Sequence, residues 1–284
     1  ARQFTRPHWM MNPATDGRTT VRITIKEETV ETALYGSIEK WVRSPVSILF
    51  FKSLQKVSFN GTLVRKRDRG SGPTGSSRHY SIEVDGHSVQ ELLLIQSEEA
   101  EFPEAAIHEI RDERNLDSEK FKMPPCRLEV VLGLSGKNRF FVVLPTGYEP
   151  ALPFSVNAPF IQDPARFGIK DPESSPTNQW LIRRTGELVA KTFREWVSNN
   201  ALSLEERSKA YELCPVDSRP AYQRNREPYD YAEKTIRESV YSQIIDCGIL
   251  SVDGTNHPAK TGISISGPLH DVWDDSVLKE LFTR

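Results

Sequence analysis

Apolar and polar residues alternate early in the chain, where Val21, Ile23 and Ile25 are separated by Arg22 and Thr24. This is the period of a half-buried strand, and Asp16-Gly17 supplies a turn ahead of it. The spacing then lengthens. Residues 31–43 predict a helix, which Pro45 stops before the apolar run 46–51. Short strands are predicted at 57–59 and 63–65, with Asn60-Gly61 between them as a hairpin turn. Tyr80, Ile82 and Val84 alternate again, and 92–95 is a short apolar strand. Residues 68–77 form a polar, glycine-rich loop, and 97–120 are acidic and lean to helix. A further hairpin is predicted from Leu128, Val130, Leu132 and Leu134, a turn at 135–138, and the run 140–144. About six strands in mostly consecutive pairs favour an antiparallel or mixed sheet.

The pattern changes after Pro145. Proline and glycine punctuate 145–176, and a long helix is predicted over 178–199. Val189, Phe193, Trp196 and Val197 fall on one stripe of it. Residues 203–213 predict a second helix, with Ser203 and Glu206 as a capping box. A third, over 229–246, carries Ile236, Val240 and Ile244 on one face. The tail predicts a short strand near Ile249, a turn at Asp253-Gly254 and a last helix around 273–282. The expected fold class is α+β: a mixed sheet with covering helices, plus a smaller helical and strand extension.

Composition narrows the class without naming a function. The 284 residues are ample for a buried core, and 37 basic against 39 acidic side chains give no global attraction for nucleic acid. No run approaches the ~18 apolar residues of a membrane span. Cys126, Cys214 and Cys247 are odd in number and lack CxxC spacing. They read as thiols of a reducing compartment, the cytoplasm, rather than as a disulfide framework or zinc site. The chain opens without an apolar signal core or a starting methionine, so a fragment of a longer protein is expected.

Most motif matches fail on context. Gly70-Ser71-Gly72-Pro73-Thr74-Gly75 spells GxGxxG, but phosphate binding needs a strand before it and a helix N-terminus after it. Here a charged run precedes it and a strand follows, so it reads as a flexible loop. The basic run 65–69, with Arg78 beyond the loop, could touch phosphates, although a solvated loop is the default. His108-Glu109 begins HExxH without its second histidine. Glu98, Glu99, Glu101 and Glu104 read as a solvated helical face. No GxSxG or Walker A motif is present. The lone Arg166, set in the apolar loop Pro164-Ala165-Arg166-Phe167-Gly168-Ile169, resists a bland reading. It is either a structural ion pair with Asp163 or Asp171, or an arginine presented to a phosphate.

Around that arginine, the order Leu144-Pro145-Thr146, Leu152-Pro153-Phe154-Ser155-Val156-Asn157-Ala158-Pro159-Phe160, Arg166, Ile169 and Asn178-Gln179-Trp180-Leu181 resembles a known family. It looks like the region that follows the nucleotide-binding domain in sacsin-like proteins. These are GHKL ATPases, relatives of the ninety-kilodalton heat-shock chaperone. Residues 44–57 resemble the family's segment where the second domain begins, and residues 253–273 its later DG … L–x–x–W stretch. Gly17-Arg18-Thr19-Thr20-Val21-Arg22-Ile23 looks like the last strand of the nucleotide domain.

The resemblance implies three parts: 1–29 as the terminal strand of an upstream nucleotide domain and linker, 30–200 as a transducer-like middle domain, and 201–284 as an extension. ATP and magnesium would belong to the full-length protein, with none bound by this chain alone. The chain is then part of an ATPase without being active by itself. Its partners would be the upstream domain and an oligomer or partner protein. The resemblance gives Arg166 first, and Lys170 second, the role of meeting the γ-phosphate. The family's stretch often carries paired arginines, where this chain has Ala165 before Arg166. A chaperone-like machine and a defence system are both settings for such ATPases. The alternative is a non-catalytic module that binds a partner protein, or nucleic acid through the Arg65–Arg78 loop. An independent hydrolase is a third reading for which no nucleophile–base pair can be named.

Overall fold

The computed structural model describes residues 28–43, 45–114, 122–165, 167–215, 230–244, 248–250 and 256–258. It divides into two units, 1–44 and 45–284. Within the first, the predicted helix is α1, Glu28–Arg43. The predicted strand at Val21–Ile25, the turn at Asp253-Gly254 and the helix around 273–282 lie outside the described residues.

The second unit is α+β. Strands β1 (Lys56–Phe59), β2 (Thr62–Ser71), β3 (Ser77–Val84), β4 (His87–Gln96), β5 (Glu129–Leu132), β6 (Phe140–Val142), β7 (Leu144–Pro145) and β8 (Ser155–Asn157) form one sheet. Its spatial order is β1-β2-β3-β4-β5-β8-β6-β7. The first four are an antiparallel meander. The β1–β2 turn is made by Asn60 at φ +47° and Gly61 at φ +89°, which is why Asn-Gly stands there.

Two expectations are corrected. The loop expected from Asp68 to Ser77 is half strand, since β2 continues to Ser71 and only five residues turn before Ser77 opens β3. That turn is held by hydrogen bonds, Thr74 N to Ser77 Oγ at 2.9 Å and Gly72 N to Ser77 O at 2.9 Å. Strands β5 and β6 are not a hairpin either. β8 inserts between them, antiparallel to β5 and parallel to β6. Its sequence carries flanking prolines at 153 and 159 that disguise a three-residue strand buried at Ser155 and Val156.

Helices α2 (Glu104–Arg114), α3 (Pro176–Val197), α4 (Leu204–Ser208) and α5 (Tyr231–Ile244) follow in chain order. The core joins Leu93, Ile95, Val130, Phe140, Phe154 and Val156 of the sheet side to Leu181, Val189 and Phe193 of α3 and Ile236 and Val240 of α5. Helices on both sides of residue 200 therefore share this core. Phe140 and Phe154 are fully buried, and truncating either to alanine costs about 3–5 kcal/mol. The opposite face, at Val64, Ile82, Leu92, Leu94 and Val131, lies on the side of the 3₁₀ turn Val46–Phe50, whose Phe50 ring sits 4.9 Å from Phe141. The capping box at Ser203 and Glu206 is present as expected. Strands β9 (Gly248–Leu250) and β10 (Asn256–Pro258) pair separately. No helix of the described residues is long and apolar enough to cross a membrane.

Candidate functional site

Three neighbouring pieces of chain build the candidate site: the β6–β7 corner, the 161–170 loop and the start of α3. The loop leaves and returns through a β-bridge, Gln162 to Ile169. Its hydrogen bonds run from Lys170 N to Ile161 O at 2.8 Å and from Asp163 N to Gly168 O at 3.2 Å. Asp163 holds the turn itself. Its two carboxylate oxygens accept the backbone N–H groups of Phe167 and Gly168, each at 2.9 Å. Asp171 likewise accepts Glu173 N at 3.0 Å, capping the 3₁₀ turn Pro172–Ser174. Both aspartates considered as ion-pair partners for Arg166 thus bind backbone N–H groups. Arg166 itself lies outside the described residues.

The start of α3 clamps this loop. Ser175 is the N-cap and Pro176 the first helical residue, a pairing that favours helix initiation. Asn178 is fully buried. Its Oδ1 accepts Ile161 N at 2.9 Å, and its Nδ2 donates to Ile161 O at 3.0 Å and Lys170 O at 2.8 Å. One side chain on α3 therefore ties both stems of the loop. In the same motif, Trp180 packs on Phe102 at 5.0 Å, with the Arg184 guanidinium 4.9 Å from the indole centre. Both motif residues act as anchors for α3.

Beneath the clamp lies a carboxylate that the sequence reading passed over. Glu109 on α2 is 8% exposed, and Lys170 Nζ stands 3.0 Å from its Oε1 and 2.6 Å from Glu113 Oε1. Glu109 Oε2 accepts from Ser175 Oγ at 3.0 Å and from Thr177 N at 2.9 Å, where the N-terminus of α3 favours negative charge. Burial pushes the Glu109 carboxyl up, but hydrogen bonds from Thr177, Lys170 and Ser175 outweigh it and leave it below its ordinary range. Lys170 is raised, first by its hydrogen bond to Glu113 and next by that to Glu109. Lys170 is thus placed as a structural cation between two carboxylates. The legible signal for Glu109 was its place with Ala106 and Ile110 on the buried stripe of α2.

The β6–β7 corner completes the site. Asn157 Oδ1 accepts Val143 N at 2.8 Å, and Asn157 Nδ2 donates to Glu129 Oε2 at 2.7 Å. Val143 is held at φ +63°, a costly conformation for a β-branched residue of the kind that collects at working sites. Gly147 N donates to Phe167 O at 2.5 Å, and a Cβ on Gly147 would meet the Phe167 ring at 2.4 Å. Around this corner Leu144 is 56% and Phe167 73% exposed.

The glycine-rich run does something else. Residues 71–75, with Glu195 and Asn199, line an open cleft of about 670 Å³. Strands flank the run on both sides, and the one charged side chain lining the cleft is an acid, so the described residues offer no cradle for a nucleotide phosphate there. Among the described residues, no three His, Cys, Asp or Glu side chains gather as metal ligands would. His108 lies on the exposed face of α2, near Glu104 at 4.0 Å.

The chain matches no protein-family model, no curated protein and no solved structure.

Proposed function

We propose that this chain is the transducer region of a larger sacsin-like GHKL ATPase. In that protein an upstream domain would hold ATP and magnesium, and this region would convert nucleotide state into movement. The observation that carries the reading is the attachment of the 161–170 loop to α3 through Asn178 and through the Glu109–Lys170 pair. A loop that meets a ligand from another domain transmits nothing if it is slack. This one is fastened to a 22-residue helix, about 33 Å long. Just past the far end of that helix, Asn199 Nδ2 donates to Pro73 O at 2.9 Å on the β2–β3 turn. Exposed Leu144 and Phe167 beside the loop give an apolar rim suited to a partner domain. Arg166, at the loop's tip in sequence, would stabilise charge on the terminal phosphate, with Lys170 positioning the loop.

Hydrogen exchange of the full-length protein, with and without a non-hydrolysable ATP analogue, tests the reading. The expected result is added protection at Phe167, Gly168 and Lys170 together with a change along α3. Protection of the loop with α3 unmoved would refute transmission, and tight ATP binding by the isolated chain would refute the reading altogether.

A further inference from the structure

Strand β2 divides the basic run of the sequence between two faces of the sheet. Lys66 turns to the 3₁₀ side, where its Nζ donates to Leu49 O and, at 2.5 Å, to Phe51 O. Asp68 shares that side, paired with Arg78 at 3.3 Å. Arg65, Arg67 and Arg69 take the other face. Alternation along the strand puts Arg69 there with them, just before a β-bulge between Asp68 and Gly70.

On that face Glu83, only 8% exposed, accepts from Arg67 at 3.2 Å and from Arg69 at 3.1 Å, while Arg69 Nε donates to Ser81 Oγ at 2.7 Å. The two arginine side chains stay 53% and 41% exposed. Arg65 is exposed with no partner among the described residues, and Lys56 lies opposite it on β1. No residue of β1, β2 or β3 belongs to the core that the helices cover.

Lys56, Arg65, Arg67 and Arg69 against buried Glu83 and the exposed Glu91 of the neighbouring strand leave the face with surplus positive charge in a chain whose net charge is −2. An edge ladder built only for stability would balance its charges. Glu83 instead fixes two half-exposed arginine forks, the side-chain type that suits phosphate oxygens. Alternate residues of a strand repeat about every 6.7 Å, a step comparable to that between neighbouring phosphates of a nucleic-acid strand. No Phe, Tyr or Trp lies on this face of β1–β3, since Val57, Phe59 and Tyr80 share the opposite one. A base-stacking platform is therefore lacking.

We propose that the Arg65–Arg67–Arg69 face binds the phosphate backbone of duplex nucleic acid without reading its sequence. This site is independent of the loop at 161–170, and its test uses no nucleotide, so either proposal can fail alone.

The test is fluorescence anisotropy of the chain with a labelled random-sequence duplex. Three phosphate contacts weaken binding by about 40-fold between about 50 and about 200 mM salt. Arg65→Gln, Arg67→Gln and Arg69→Gln together should abolish that dependence. Arg65→Glu alone disturbs no described partner and keeps the test valid if the triple variant unfolds; it should weaken binding at the lower salt and shrink the salt effect by at least about 3-fold, one contact's share. Arg78→Gln, on the opposite face, should change nothing. No binding at the lower salt, an unaltered Arg65→Glu variant, or an equal loss from Arg78→Gln would overturn the proposal. So would competition by poly-glutamate as effective as unlabelled duplex, which would mark the face as a site for acidic protein.

Discussion

Glu109 is the residue on which the clamp turns, because it joins three pieces of chain through one carboxylate. It sits on α2, faces the N-terminus of α3 and pairs with the loop's Lys170. Its folded carboxyl titrates below the ordinary value of 4.5. The ionised form therefore stabilises the fold fully above that ordinary value, and the stabilisation is lost as pH falls through the lowered folded value. Glu109→Gln should cost about 2 kcal/mol at pH 7, the scale of a charge-assisted hydrogen bond. The gap between variant and wild type should narrow as pH falls below that ordinary value, because the unfolded chain then takes up the Glu109 proton before the folded one does. A series of urea melts from about pH 7 downward measures this; a gap that does not change with pH would contradict it. The sequence hid this residue because a glutamate beside His108 in an acidic segment reads as surface. The three-and-four spacing of Ala106, Glu109 and Ile110 was the only sign of burial.

At the scale of elements, the close crossing of α3 and α5 holds the helical layer together. A Cβ on Gly186 would lie 2.6 Å from Ser239 Cβ and 2.8 Å from its Oγ. Gly186→Ala gains about 1 kcal/mol of helix propensity and loses about 1–3 kcal/mol to overpacking. The net expectation is destabilisation of about 1 kcal/mol, largely relieved in a Ser239→Gly background, where Ile236 O at 3.3 Å is the close neighbour that stays. Thermal melts of the two singles and the double give the sign; Gly186→Ala destabilising equally in both backgrounds would contradict the contact. The helices themselves were legible, because their apolar stripes and the Ser203–Glu206 capping box are local signals. The sheet order was not. A strand of three residues between prolines, inserted between β5 and β6, carries no local mark of its partners. The strand nature of 66–71 was missed for a related reason. Charged side chains alternate there across two solvent-facing surfaces, so no apolar period reveals the pairing.

At the scale of the molecule, the loop, α3 and the β2–β3 turn form one connected body, built around the motif at residues 144–181. The physical sense of that motif becomes visible in the fold. Asn178 is the clamp, Trp180 an anchor and Asn157 the strut under Val143. These roles depend on contacts between distant segments, which the spacing of letters cannot display. What the motif holds in place is the loop that carries Arg166. The decisive measurement is steady-state ATP turnover of the full-length protein carrying Arg166→Ala, with nucleotide affinity measured alongside. Turnover should fall about 100-fold or more while nucleotide affinity stays near wild type, as for loss of an arginine that acts on the transferring phosphate. Wild-type turnover in that variant would contradict the account.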